Sequence, residues 1–363
     1  MIDPQLYYGI YLTLIFVLTL ICSSHYSRYT DGRLGVKLCE KSLSTFIVSI
    51  FFILFIGFRP KSGVFIDMMN YDYMFKLLEG QKFNYSIEET NVVFDNLFKF
   101  LATSGFDIEI FFLIMSALYF GGILIACRKL FPKDSFYAYV IYLGAFSTFS
   151  YATNGIKAGV AASLFLCALG FYKRKYICVF FLVLSLGFHH SMALPIIAFI
   201  CCLLLRRPKV YLYIWILSLI IAAAHITIFQ SFLGGFADES GAEYLTVSDM
   251  GYRTGFRLDF IIYSAAPVVL GYFIIKKFKY NSRTYNLLYN TYLLTNAVWM
   301  LCMYASFTNR IAYLSWFMLP IVLAYPFFDM YFIKNQYQKL NVVAWGNLGF
   351  TITMQVVYYG FIK

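Results

Sequence analysis

Only four histidines occur in 363 residues, yet two of them are adjacent in Phe188-His189-His190-Ser191. Imidazole titrates close to neutral pH, so one of this pair can take the proton of a hydroxyl as its oxygen attacks. Cations recur along the same chain at Arg59, Lys157, Arg253, Arg257 and Arg310. Arginine offers a flat two-point contact to phosphate oxygens and lysine a point charge, so these residues suit a phosphate-bearing group that gains negative charge as it departs. Asp67 and Asp259 are the carboxylates available as an alternative base or as the imidazole's orienting partner.

Each of these residues also has a plainer reading. A cation at a helix end often only reaches the lipid headgroups, which applies to Arg59 in Gly57-Phe58-Arg59-Pro60. Lys157 opens a small-residue stretch, Asn154-Gly155-Ile156-Lys157-Ala158-Gly159, where close helix packing turns its ammonium into the bundle. Arg253 and Arg257 are four apart and share a face if that stretch is helical. A lone buried histidine is ordinarily structural; that describes His225, which follows three alanines, while His25 falls in a segment on the other side from the pair.

The elements that must hold these residues are membrane spans. The chain is 61% hydrophobic and 13% charged, with mean hydropathy +0.70, far from the roughly 25% charged residues of soluble domains. Apolar windows fall at 6–23, 43–58, 108–126, 136–152, 156–171, 176–190, 192–205, 211–229, 259–275, 286–305, 310–332 and 342–362. Backbone groups cannot stay unpaired in lipid and no alternating barrel pattern appears, so the expected fold is an all-α polytopic helix bundle of about twelve transmembrane helices forming one integral membrane domain over 1–363. The window around His189 to Pro195 also reads as one broken helix. Met1 to Cys22 opens with Asp3 and has no basic leader, so it is expected to persist as the first span.

Nineteen of the 29 lysines and arginines fall in alternate connecting segments, including Lys173-Arg174-Lys175 and Arg206-Arg207. By the positive-inside rule those segments face the cytoplasm and both termini lie outside. The histidine pair and the candidate cations then share the outer side. The basic charge reads as topology and contact with anionic lipids rather than nucleic-acid binding. Two outer segments, 59–107 and 230–259, exceed connector length and are expected to carry short helices. Apolar residues at 93, 94, 97, 98, 100 and 101 predict an amphipathic helix at the membrane surface.

Several chemistries have no support. There is no G-x-x-x-x-G-K-[ST] phosphate loop, no G-x-G-x-x-G after a strand and no H-E-x-x-H, and the eight cysteines suggest neither a disulfide framework nor a metal site. No metal and no cofactor are expected.

Gly57-Phe58-Arg59-Pro60 followed by Asp67 and Tyr71, then Asn154-Gly155-Ile156-Lys157, then Phe188-His189-His190-Ser191-Met192-Ala193-Leu194, then Asn309-Arg310-Ile311-Ala312-Tyr313 resemble, in that order, the signposts of the EpsG family, which is similar to Wzy-type O-antigen and capsule polymerases. The resemblance implies a GT-C-like membrane glycosyltransferase of the bacterial inner membrane that joins polyprenyl-diphosphate-linked oligosaccharide repeats without a metal, alongside a chain-length regulator protein. It places the family's histidine on His189, which is then the best-placed general base, with His190 at the variable position beside it. His190, Tyr71, Tyr252 and Tyr313 are then the candidate acceptor and sugar contacts. Two positions depart from the pattern: Lys157-Ala158 stands where an Arg-Gln pair is common, and Phe65 stands where an acid is common, leaving Asp67 two positions on. Rival readings are a glycolipid flippase or other transporter, which would be expected to show internal repeats, and a membrane acyltransferase acting on surface sugars.

Overall fold

The computed structural model describes residues 2–27, 42–233, 255–305 and 308–359, and every regular element in them is a helix. The chain forms two compact units, Met1–His190 with Phe327–Lys363 and, between them, Ser191–Pro326. The first unit opens with α1 (Tyr7–Ser27), α2 (Ser42–Gly57), α3 (Ile66–Leu78), α4 (Val92–Thr103), α5 (Ile108–Leu130), α6 (Ser135–Leu143), α7 (Phe146–Thr153), α8 (Ile156–Gly170) and α9 (Lys175–Phe188). The second contains α10 (Ala193–Leu204), α11 (Pro208–Ala223), α12 (Ile228–Leu233), α13 (Leu258–Lys276), α14 (Arg283–Leu301), α15 (Thr308–Trp316) and most of α16 (Leu319–Asp329). The last helix, α17 (Gln336–Tyr359), belongs to the first unit.

This is a polytopic, all-helical membrane protein. Pro4–Ser27, Ile108–Leu130, Leu258–Lys276 and Thr308–Asp329 are each long and apolar enough to cross a bilayer, while Leu43–Gly57, Ile156–Gly170, Lys175–Phe188, His190–Leu204 and Pro208–Ala223 are apolar but shorter. Two of the apolar windows are broken rather than continuous. The window at 136–152 splits where Gly144 caps α6, and that at 310–332 splits between Trp316 and Leu319. The window around His189 also divides, into α9 and α10 joined by a 3-10 turn over His190–Met192.

Within the first unit α8 packs against both α5 and α9. Its approach to α5 depends on Gly122, where a Cβ would lie 2.5 Å from Ser163 Oγ. Small residues let helix backbones come this close, so that dispersion and polar contacts replace the hydrophobic drive that lipid removes. Buried polar groups act the same way in each unit. Asn341 of α17 donates to Ser23 O of α1 at 3.0 Å and accepts from Tyr137 of α6 at 2.9 Å. In the second unit Asn296 of α14 accepts from Trp215 of α11 at 2.8 Å and donates to Ser264 of α13 and Ser315 of α15. The seven described cysteines are all free thiols.

The long segment after α2, expected from the sequence to lie outside, folds as two helices. The expected amphipathic helix is α4, but its apolar face is turned onto protein. Phe98 meets Phe75 of α3 and Phe111 of α5 with ring centroids 5.3 and 4.9 Å apart. The exposed apolar stripe is on α3, where Ile66, Met69, Tyr73 and Leu77 lie one turn apart along one face. To one side of that stripe the buried Asp72 is paired with Lys76 at 2.6 Å and Lys61 at 3.1 Å, and Lys61 reaches Glu109 of α5 at 3.1 Å.

Two outcomes follow from this layer. An exposed stripe of this kind belongs in the headgroup boundary, so a nitroxide attached at residue 77 should be relaxed more by lipid-soluble oxygen than by a water-soluble nickel chelate, and the reverse order would place α3 in water. The Lys76 hydrogen bond holds the Asp72 carboxyl below its ordinary pKa, although burial works against it. The stabilisation is therefore complete above the unfolded carboxylate value of about 3.9 and fades as pH falls through the lower folded value. Amide exchange in α3 should accelerate below about pH 4, and Asp72→Asn should reproduce the change at neutral pH with a loss of about 1 kcal/mol. Unchanged exchange in both cases would show that these pairs do not anchor α3.

Candidate functional site

In the first unit the candidate residues gather at one end. Helices α8 and α9 run antiparallel through the basic turn at 171–174, and Ser185 Oγ, on the last turn of α9, donates to Ala161 O on the second turn of α8 at 2.7 Å. That register puts Lys157, at the start of α8, beside the end of α9 where His189 and His190 stand. The cationic turn is at the far end of a 14-residue helix, about 21 Å away.

The histidine pair is an interruption in helical structure. His189 caps α9 in an extended conformation, with φ −155° and ψ 114°, and its N–H donates to Ser185 O at 3.1 Å. Its ring stacks on that of His190, with centroids 5.4 Å apart and planes at 26°. His190 turns to α4: its backbone N–H donates to Asn91 Oδ1 at 3.1 Å, and its Nδ1 lies 3.3 Å from the same oxygen. Asn91, at the residue before α4, is buried, and its own N–H donates to Asp95 Oδ2 at 3.0 Å. Burial raises the Asp95 carboxyl above its ordinary pKa, opposed by the Asn91 N–H and by the charge of Lys157. Lys157 Nζ lies 5.9 Å from the centroid of the Phe94 ring.

Gly187 makes this contact possible. A Cβ there would come within 2.5 Å of Val93 Cγ2, so a larger residue would force the first turn of α4 away from α9.

Arg59 lies at the same end, buried. Its Nη1 donates to Ile56 O at 2.9 Å and its Nη2 to Thr153 O at 3.3 Å, tying the ends of α2 and α7 together. The guanidinium lies 4.7 Å from the Phe112 ring centroid and 5.4 Å from that of Phe65. Burial lowers its pKa to about 10, which leaves it charged at neutral pH. Asp67 occupies the first turn of α3, a favourable place for a carboxylate against the helix dipole. Tyr71 stands about a ring's width from Phe94, Phe98 and Phe111, with centroids 6.0, 6.0 and 5.9 Å away.

The second unit repeats this sidedness by itself. Helices α13 and α14 are antiparallel, with Tyr292 donating to Ser264 O and Tyr289 to Val268 O, each at 2.9 Å. Arg257 immediately precedes α13 and Arg310 lies in the first turn of α15, whereas Lys276, Lys277, Lys279 and Arg283 bracket the opposite turn. Arg257 makes a two-point pair with Asp259, Nε to Oδ1 at 3.0 Å and Nη2 to Oδ2 at 2.7 Å, and its guanidinium carbon lies 3.7 Å from the Phe260 ring centroid. Arg310 is exposed. Tyr313 is half-buried, its ring 5.5 Å from that of Trp316. Tyr252 and Arg253 lie outside the described residues, and because α13 begins after Arg257 the expected helical face through 253 and 257 has no described counterpart.

Among the described residues no group of three or more His, Cys, Asp and Glu is arranged to hold a metal ion. The sequence reading did not single out Asn91, Asp95 or Gly187 for the site. A capping-type residue followed four positions on by an acid was the available signal for the first two.

Arg59 gives a direct test of this end of the unit. Lysine lacks the planar fork whose two terminal nitrogens each reach one carbonyl, so Arg59→Lys should lower stability by about 1–3 kcal/mol, seen as an earlier thermal transition in detergent. An unchanged transition would mean that the two helix ends do not rely on the guanidinium.

Comparison with characterised proteins and with solved structures found no match. The model of the EpsG family matches residues 43–360, nearly the whole chain and every described candidate residue. The protein belongs to the EpsG family, whose members are polysaccharide-polymerase-type membrane proteins.

Proposed function

We propose that the protein polymerises surface polysaccharide by joining oligosaccharide repeats carried on polyprenyl diphosphate, on the outer face of the bacterial cytoplasmic membrane. The supporting observation is the histidine pair at the end of α9 packed on the polar start of α4 beside Lys157, opposite a strongly basic turn. Polar groups are costly at membrane depth and concentrate where a protein handles polar substrate. A hairpin with its basic turn in the cytoplasm presents His189, His190 and Lys157 outward.

In the reaction the acceptor hydroxyl oxygen forms a bond to the anomeric carbon of the donor. The anomeric C–O bond to the diphosphate breaks, the diphosphate leaves on its lipid, and the hydroxyl proton passes to an imidazole of the pair. Lys157, beside the histidine pair, is assigned to the growing negative charge, and within the second unit Arg310, Arg257 and Arg253 are the candidate phosphate contacts. Arg257 shares its charge with Asp259. Arg59 has both terminal nitrogens on carbonyls and contributes its field rather than a contact. Tyr71, Tyr252 and Tyr313 offer ring faces to sugars, and Asp67 and Asp259 are orienting carboxylates.

The assay is elongation of lipid-linked repeats by purified protein in vesicles, with products resolved as a ladder. Replacing both histidines by alanine should lower the rate about 10²- to 10⁴-fold, and Arg310→Ala with Lys157→Ala should do so without changing the fold. A wild-type protein that moves the lipid-linked repeat across the bilayer but never lengthens it would support a transporter instead.

A further inference from the structure

The two imidazoles are not equivalent, and the difference lies in a residue that is not part of the pair. We infer that Asn91 is a positioning residue that fixes the tautomer of His190 and makes His190 Nε2 the proton acceptor of the reaction proposed above, on which this inference rests.

The argument begins with a main-chain group of one possible role. The His190 N–H can only donate, and it meets the Asn91 side chain at 3.1 Å. The amide atom it meets must therefore be the oxygen, whichever way the amide is drawn. The same oxygen is 3.3 Å from His190 Nδ1. A carbonyl oxygen receives hydrogens and never supplies one, so the Nδ1 that faces it carries the hydrogen. Neutral imidazole has a single N–H, which leaves the lone pair on Nε2.

The orienting group is itself held. Asn91 is buried, its N–H is taken by Asp95 Oδ2 at 3.0 Å, and its carbonyl receives the Asp95 N–H at 2.8 Å. Gly187 keeps the start of α4 seated against the last turn of α9, so the amide cannot drift from the ring without moving a helix. Asp95, which takes the Asn91 N–H, lies in the field of Lys157 from α8 and of Glu89 and Lys99. An amide directs the ring without placing a full charge on it. His189 stacks on this ring at 5.4 Å, and two imidazolium rings at that separation repel. A proton taken by His190 during the reaction therefore disfavours a second positive charge on His189.

The test combines a spectrum with a rate profile. With ring nitrogens labelled by ¹⁵N in the full-length protein in lipid, the His190 signal, identified by its loss in His190→Gln, should show the hydrogen on Nδ1. In Asn91→Leu, which keeps the volume and removes the oxygen, it should move toward the Nε2–H form. Elongation by Asn91→Leu should fall on the order of 10²-fold with the KM for the lipid-linked repeat unchanged. Asn91→Asp places a carboxylate against the ring and favours its charged form, so the acid limb of kcat/KM should shift to higher pH. A role confined to holding α4 in place would lower the rate at every pH and leave that limb where it was. The inference is overturned by an Nε2–H ring in the wild-type protein, by an unmoved acid limb in Asn91→Asp, or by a His190→Gln protein that elongates normally while His189→Gln does not. The spectrum needs no substrate, so an Nδ1–H ring in a protein that does not elongate would overturn the polymerase reading and the acceptor role while leaving the orienting contact in place.

Discussion

The antiparallel seating of α8 against α9 is the contact from which the candidate site of the first unit is built. Ser185 bonding to Ala161 sets the register, and the register decides that Lys157 and the histidine pair share an end while the basic turn occupies the other. A slip of one helical turn would carry Lys157 about 5.4 Å along the hairpin from the imidazoles. In lipid such a register cannot rest on hydrophobic burial, because the solvent is as apolar as the side chains. It rests on close approach through small residues and on a few buried hydrogen bonds.

The same economy of polar contacts explains the layer formed by α3 and α4. Helix α4 is wedged between α3, α5 and α9 by aromatic packing on one side and by the Val93–Gly187 approach on another. Because it is wedged, its N-terminal residue can serve as a fixed ligand for a histidine ring. Arg59 reinforces this end, its charge enclosed by two carbonyls and two aromatic faces. Enclosing a guanidinium in this way costs desolvation, and that cost is offset only while the ends of α2 and α7 stay where the carbonyls can reach it.

Much of the fold was readable before any coordinates. The apolar windows became helices because about 20 residues of unbroken apolar chain have few alternatives in a bilayer. The breaks were less readable. Gly144 is a recognisable cap and Pro320, the second residue of α16, marks its start, but neither stands out within a continuous apolar window. The amphipathic pattern of α4 was visible, whereas its partner was not, since a stripe of Phe94, Phe98 and Leu101 fits protein and membrane equally well. The exposed stripe on α3 was hidden because that helix is apolar on both faces. For the site, residue type pointed to His189, His190, Lys157 and Arg59, but type alone gave Arg59 and Lys157 the same role. Arg59 is buried with two backbone carbonyls on its guanidinium, whereas Lys157 is half-buried near the Phe94 ring.

What the amino-acid order determined by itself was helical class, membrane residence and which side of each hairpin is basic, because these depend on local apolar length and on charge counted along the chain. The tertiary structure decided which polar groups face one another. Asn91 and His190 are 99 positions apart, and no local pattern encodes a hydrogen bond between them. Their meeting depends on the absence of a side chain at Gly187 and on the bulk of Val93. Shape at that contact, rather than the chemistry of either partner, sets which nitrogen of His190 faces the Asn91 oxygen.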